Sequence, residues 1–306
     1  MKKATIYFIS MVIAAVIGGG VQTVSSSESD ETVSEVVLGL SSKDLEPHLK
    51  AIKSAADVLS NIKSKASSSG TSILKYSTDT KSYSENTTDV AIAQLVSFFI
   101  KLSSEFFDSS SMGISLTYNG LNSLKKAGKK VGGKDHIAAQ KQLNHGLELL
   151  ESQKAYFMMI NFCMYVISQY ISSKSKPVIR CKDIKKELDT LCQLTEDKKK
   201  LIGSQTGLTN AMTGLSSSID ELASDASDSD VSAALTIAKG KIEYTTASIE
   251  KIIEFWEMLN GAMDTDGPSV VADELKAFGS KCKHGATGKL TAETEKSSAK
   301  STKKKK

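Results

Sequence analysis

The chain has 306 residues, 40% of them hydrophobic, and only three prolines, so it can bury a real core as one large domain or two small ones. Strand-type alternation is scarce, which points away from sheets and towards helices. The formal charge of +4 is unevenly spread: Lys283 to Lys306 carries a net +6, Lys2 and Lys3 add +2, and the remainder is left at about −4, so no nucleic-acid-binding face is implied for the fold itself.

Lys2 and Lys3, the apolar run Ala4–Ile17 and then Gly18, Gly19 and Gly20 form the pattern of an export signal over residues 1–20. A secreted, extracellular protein is expected, with Asn86-Thr87-Thr88 as a candidate glycosylation acceptor. A helical body is expected over 31–282. Its first stripe is Leu45, Leu49, Ile52, Ala56 and Leu59, with Pro47 harmlessly early in the helix. Ser67–Tyr83, rich in Ser, Thr and Lys with Gly70, reads as a loop.

Asp89–Phe107 is very apolar, with Ile92, Val96, Phe99, Leu102 and Phe106 at helical spacing and Phe98 and Phe107 beside them. The pattern continues to Leu124 and stops at the basic, glycine-rich Lys125–Lys134. Asp135 opens the next helix, which runs through Leu143, Leu147 and Leu150 into Ala155–Ile171. That last stretch has no formal charge and holds Tyr156, Phe157, Phe162, Tyr165 and Tyr170 together with Met158, Met159 and Met164. As a helix it spans about 25 Å, short of a comfortable bilayer crossing. Two readings stay open: the all-round-buried central helix of a bundle, or a segment stored in the soluble form and delivered to a membrane.

Past Pro177, Ile184, Leu188 and Leu191 and then Leu208, Met212, Leu215, Ile219 and Leu222 suggest one long helix with a phase shift or break in the middle. Ser224–Asp230 is an acidic turn. Val231, Leu235, Ala238, Ile242, Thr245, Ile249, Ile252, Trp256, Leu259 and Met263 then alternate by four and three, the seam of a coiled-coil-like helix. A short helix is expected over Ser269–Phe278 and a disordered lysine-rich tail over 283–306. The predicted fold is all-α, an elongated antiparallel bundle of about five helices, several of them long.

In an exported chain Cys163, Cys181, Cys192 and Cys282 are expected to be oxidised, and three pairings are possible. Cys181 and Cys192 lie about 16 Å apart along one expected helix, too far to bond. Cys163 and Cys192 stand nearly equidistant from Pro177, so a hairpin there brings them level. The preferred pairs are Cys163–Cys192 and Cys181–Cys282, with free buried thiols as the alternative.

No catalytic constellation stands out. His48, His136, His145 and His284 show no metal-ligand spacing, and Asp264-Thr265-Asp266-Gly267 reads as a turn and cap. There is no nucleophile elbow and no phosphate-cradling glycine loop, so neither an enzyme nor a cofactor is expected.

The signal-like start, the heptad hairpin Ile184–Met263, the apolar Ala155–Ile171 and the lysine-rich end resemble the haemolysin-like secreted proteins of bug saliva and venom. More distantly, the layout is similar to that of bacterial helical pore-forming haemolysins. The resemblance implies a lytic or pore-forming protein that inserts an apolar helical segment and takes membrane lipid as its partner, with homo-oligomers on the membrane. The inserting candidates are Tyr156, Phe157, Met158, Met159, Phe162, Met164 and Tyr165, with Phe98, Phe99, Phe106 and Phe107. A Cys163–Cys192 bond departs from the bacterial group, because it pins the first of these segments, and this shifts part of the expectation to Val90–Phe107. The competing expectation is a non-lytic interaction protein that binds a protein partner, and a third is a lipid-carrying bundle.

Overall fold

The computed structural model describes residues 45–78, 87–127, 134–172, 182–200, 208–225, 229–262 and 268–285, and all of them are helical. The fold class is all-α. In chain order the helices are α1 (Leu45–Thr78), α2 (Thr87–Ala127), α3 (Lys134–Ser172), α4 (Lys182–Lys200), α5 (Leu208–Asp225), α6 (Ser229–Ala262) and α7 (Pro268–Gly285). They number seven among the described residues, where the periodicity suggested about five, and all belong to the unit Glu35–Lys306. The expected export signal, Asn86, Cys181 and the lysine-rich sequence past Gly285 lie outside the described residues.

Small side chains set how the first three helices pack. Ser97, Ser104 and Ser111 stand seven apart on α2, and each donates to an α1 carbonyl. Ser97 reaches Gly70 at 2.6 Å, Ser104 reaches Lys63 at 3.1 Å and Ser111 reaches Ala56 at 2.9 Å. The acceptors fall by seven as the donors rise by seven, so α1 and α2 run antiparallel in a heptad register. Gly70 permits the close approach, since a methyl group there would lie 2.9 Å from Lys101 Cγ. This contact explains why Ser67–Thr78, expected as a loop, is helical. Its Ser69, Gly70 and Ile73 are buried in the packing, whereas composition alone suggested a solvated connection.

The α2–α3 seam follows the same rule. Gly113 meets Leu150, Thr117 meets Gly146, and Gly120 meets Leu143, again in falling order. Ser110 donates to Gln153 Oε1 at 2.8 Å, and the Phe106 and Phe157 rings lie 5.8 Å apart. These two helices are also antiparallel.

α3 and α6 are not. Lys241 Nζ donates to the Leu147 carbonyl at 3.3 Å, the Phe157 and Tyr244 rings are 6.0 Å apart, and Lys251 Nζ donates to Asn161 Oδ1 at 3.0 Å. The residue numbers rise together, so this pair runs in one direction and the expectation of a wholly antiparallel arrangement does not hold here.

The α6 heptads behave as their spacing requires. Leu235, Ala238, Ile242, Thr245, Ile249, Ile252, Trp256 and Leu259 are all buried. Trp256 meets Phe107 at 5.6 Å and Phe255 meets Phe99 at 5.1 Å, joining α6 to the apolar part of α2. The single helix expected from Ile184 to Leu222 is two, α4 and α5, and both pack against α1 and α6. α7 begins at Pro268, where the missing N–H has no helical partner to lose. It continues past the expected Phe278 to Gly285, so the first three residues of the expected disordered tail are helical. Phe278 stacks on Phe255 at 5.4 Å, which secures α7 against α6.

Candidate functional site

The two apolar segments have different fates. In the first, on α2, Phe99, Phe106 and Phe107 are fully buried and Phe98 packs half-buried on the core. In the second, on α3, Phe157 and Met164 are buried and Tyr156 and Tyr165 pack half-buried against the core. Met158, Met159 and Phe162 are exposed, at 42%, 40% and 38% of their full surface.

Helical geometry explains the split. α2 occupies the side of α3 that carries Leu143, Gly146, Leu150 and Phe157. α6 covers the neighbouring side at Leu147, Lys154 and Asn161. α7 closes over Ser168, which lies 2.5 Å from where a Gly279 methyl would sit. No described helix covers the remaining face. On its first half that face shows Lys141, Asn144, Glu148 and Ser152, and from Ala155 onward it shows Met158, Met159 and Phe162. At 100° per residue these positions form one stripe, so a single helix face changes from polar to apolar without gaining a neighbour. The all-round-buried reading of Ala155–Ile171 is therefore corrected: the segment is core on three sides and open on the fourth.

Behind the stripe sits a small polar cluster. Lys251 Nζ, bonded to Asn161 Oδ1, lies 6.0 Å from the Phe157 ring centre and 5.8 Å from that of Phe278. Asn161 is fully buried, and its Nδ2 has no hydrogen-bond partner among the described residues. Burial pushes the Cys282 thiol above its usual range, with the nearby Lys251 ammonium opposing the shift. Burial likewise pushes Cys163 from 9.0 up to about 12.

The expected disulfides are absent. Cys163 and Cys282 are buried free thiols, so neither Cys163–Cys192 nor Cys181–Cys282 is formed. The pairing assumed that the helices flanking Pro177 lie side by side. Instead α4, which carries a half-buried Cys192, packs on α1 and α6 and not along α3. No cystine pins α3 to α4.

Among the described residues no helix is long and apolar enough to cross a membrane. No group of three or more His, Cys, Asp or Glu among them is arranged to hold a metal ion. His48 lies 3.8 Å from Glu221, and His145 lies 3.9 Å from Glu148. His136 and His284 have side chains outside the described set. Sequence reasoning missed the serine ladder and the glycine seam, although the signal was present. Ser97, Ser104 and Ser111 repeat by seven, as do Gly113 and Gly120.

No family model, no curated protein and no solved structure matches this chain.

Proposed function

We propose that this chain is an exported, membrane-active helical protein that attaches to lipid through the outward stripe of α3. The observation that carries the reading is the exposure of Met158, Met159 and Phe162 on a face that no described helix covers. Exposed side chains of this size on an uncharged stretch suit the boundary between headgroups and acyl chains, where an interfacial helix sits without spanning. Methionine adapts its shape to an irregular neighbour such as lipid. Phe99, Phe106 and Phe107 are core, so attachment by α3 needs no release of α2. Lytic action, which the resemblance to haemolysin-like proteins implies, starts from this attached state.

A small exposed area favours lipid over a protein partner. Three side chains, each about 40% exposed, offer on the order of 250 Å². A stable protein interface buries roughly 800 Å² per partner.

Sedimentation with neutral phosphatidylcholine vesicles, with a parallel dye-release assay, tests the reading. The wild-type chain is expected to pellet with vesicles, and a variant carrying M158S, M159S and F162S to stay in solution while keeping its helix content. A wild-type chain that ignores vesicles of every composition overturns the reading, and the protein-binding alternative takes its place. Sedimentation without dye release retains attachment and removes lysis.

A further inference from the structure

Resting on the lipid attachment proposed above, the make-up of the stripe points to what regulates it. We propose that Met158 and Met159 are a modification site: oxygen transfer from a peroxide to their thioether sulfurs switches the lipid contact of α3 off, and reduction of the sulfoxides by a dithiol restores it.

Exposure selects the site. Among the methionines whose burial is described, Met158 and Met159 are 42% and 40% exposed, Met258 is half-buried and Met164 is fully buried. No described helix covers the face that carries the first two, so dissolved peroxide reaches both sulfurs from solvent. Met164, further along the same helix, belongs to the core and is shielded. Met112 is exposed as well, but it stands on α2, outside the stripe. In the oxidation a sulfur lone pair attacks one peroxide oxygen, an S–O bond forms as the O–O bond breaks, and the second oxygen leaves as water with both hydrogens. The thioether is oxidised by two electrons and the peroxide is reduced by two. In the reverse step two thiols become a disulfide and the sulfoxide oxygen leaves as water.

The change is small in volume and large in polarity, which is why it acts on attachment and spares the fold. Met158 and Met159 supply two of the three large side chains of the stripe, and they stand four and three residues before Phe162, as neighbours on one helix face. A thioether is a soft, weakly polar group that enters the acyl boundary readily. A sulfoxide oxygen is a strong acceptor, and hydrocarbon offers it no donor, so the oxidised stripe is disfavoured in lipid. In solution the same oxygen stays hydrated, because neither side chain is part of the buried core. Phe162 is inert to peroxide and is left as the stripe's single large apolar side chain. The arrangement predicts a loss of lipid affinity without a loss of fold.

The test treats the full chain with hydrogen peroxide, follows each methionine by peptide mass spectrometry, and then measures sedimentation with phosphatidylcholine vesicles. Met158 and Met159 are expected to convert about tenfold faster than Met164, and the oxidised chain to bind vesicles about tenfold more weakly with unchanged helix content. Reduction by a methionine sulfoxide reductase with dithiothreitol is expected to restore binding. The M158L/M159L variant stays apolar but has no sulfur to oxidise at these positions. It is expected to bind like the untreated wild type both before and after peroxide, which separates the stripe from Met112 and from the cysteines. Full conversion of Met158 and Met159 with undiminished binding overturns the inference and leaves attachment by α3 standing. So does an equal loss in the leucine variant, oxidation of Met164 as fast as theirs, or no recovery on reduction. An untreated wild-type chain that binds no vesicle overturns the attachment itself, and the switch with it.

Discussion

Asp89–Phe107 and Ala155–Ile171 resemble each other as sequences: both are aromatic, both apolar for four to five turns, and both lie in helices of about forty residues. Their environments differ. The α2 segment is surrounded: its Ser97 and Ser104 bond α1 carbonyls, and its Phe99 and Phe107 are locked against Phe255 and Trp256 of α6. The α3 segment has neighbours on three sides and none described on the fourth, so Phe157 and Met164 serve the core, Tyr156, Tyr165 and Tyr170 pack half-buried against it, and Met158, Met159 and Phe162 do neither. Apolar richness alone does not report a functional surface. The number of neighbours around the helix does.

The largest effect that sharpens this contrast comes from truncating one aromatic in each segment. Phe106 is fully buried against Phe107 and Phe157, and Phe106→Ala is expected to cost about 3–5 kcal/mol in urea unfolding. Phe162→Ser, on the open face, is expected to change stability by about 0.5 kcal/mol or less. Equal costs at the two positions would mean that the α3 stripe is covered after all.

A somewhat smaller effect tests the seam that orients α3. Replacing an interior helix glycine by alanine ordinarily stabilises by about 1 kcal/mol. At Gly146 the added methyl would lie 2.7 Å from the Gly113 carbonyl oxygen and 2.9 Å from the Thr117 nitrogen, both backbone atoms that cannot swing aside. Gly146→Ala is therefore expected to destabilise by about 2 kcal/mol, the cost of overpacking. Gly240 meets nothing within 4 Å, and Gly240→Ala is expected to stabilise in the ordinary way. A stabilising result at Gly146 would show that α2 and α3 are not in close contact.

The smallest effect concerns the thiol on the closed side of the α3 segment. Cys163 is raised from 9.0 to about 12 by burial, so its neutral form is the one the fold favours. Its contribution to stability is complete below about pH 9 and is lost as pH rises towards about 12. Alkylation at pH 8 is accordingly expected to reach Cys163 only on unfolding. Rapid modification of Cys163 in the native chain would place it on the open face.

Much of this was legible in the sequence. The α6 seam from Leu235 to Leu259 is buried at every expected position for which burial is described, because a strict four–three repeat leaves a helix one way to face its partners. The ends of α2 and α3 fell within three residues of their expected positions, at changes of composition that a helix cannot ignore. The open face of α3 was not legible. Ala155–Ile171 is apolar all the way round, so its own periodicity cannot orient it, and Gly146 and Gly113 in the preceding seam set its rotation instead. Ser67–Thr78 misled for a related reason: serine and glycine mark both solvated turns and the closest helix contacts, and Gly70 belongs to the second kind. The disulfides were misjudged because helices adjacent in sequence were taken as adjacent in space, whereas α4 crosses to α1 and α6.

Fluorescence quenching by brominated lipid tests the α3 contact most directly. The native Trp256 is fully buried, so a Phe162→Trp variant carries one enclosed indole and one on the stripe. On brominated vesicles the emission added by the substitution is expected to be quenched by more than half, and that of Trp256 to be unchanged. Quenching of neither indole, with the protein demonstrably bound to the vesicles, would show that another surface meets the membrane.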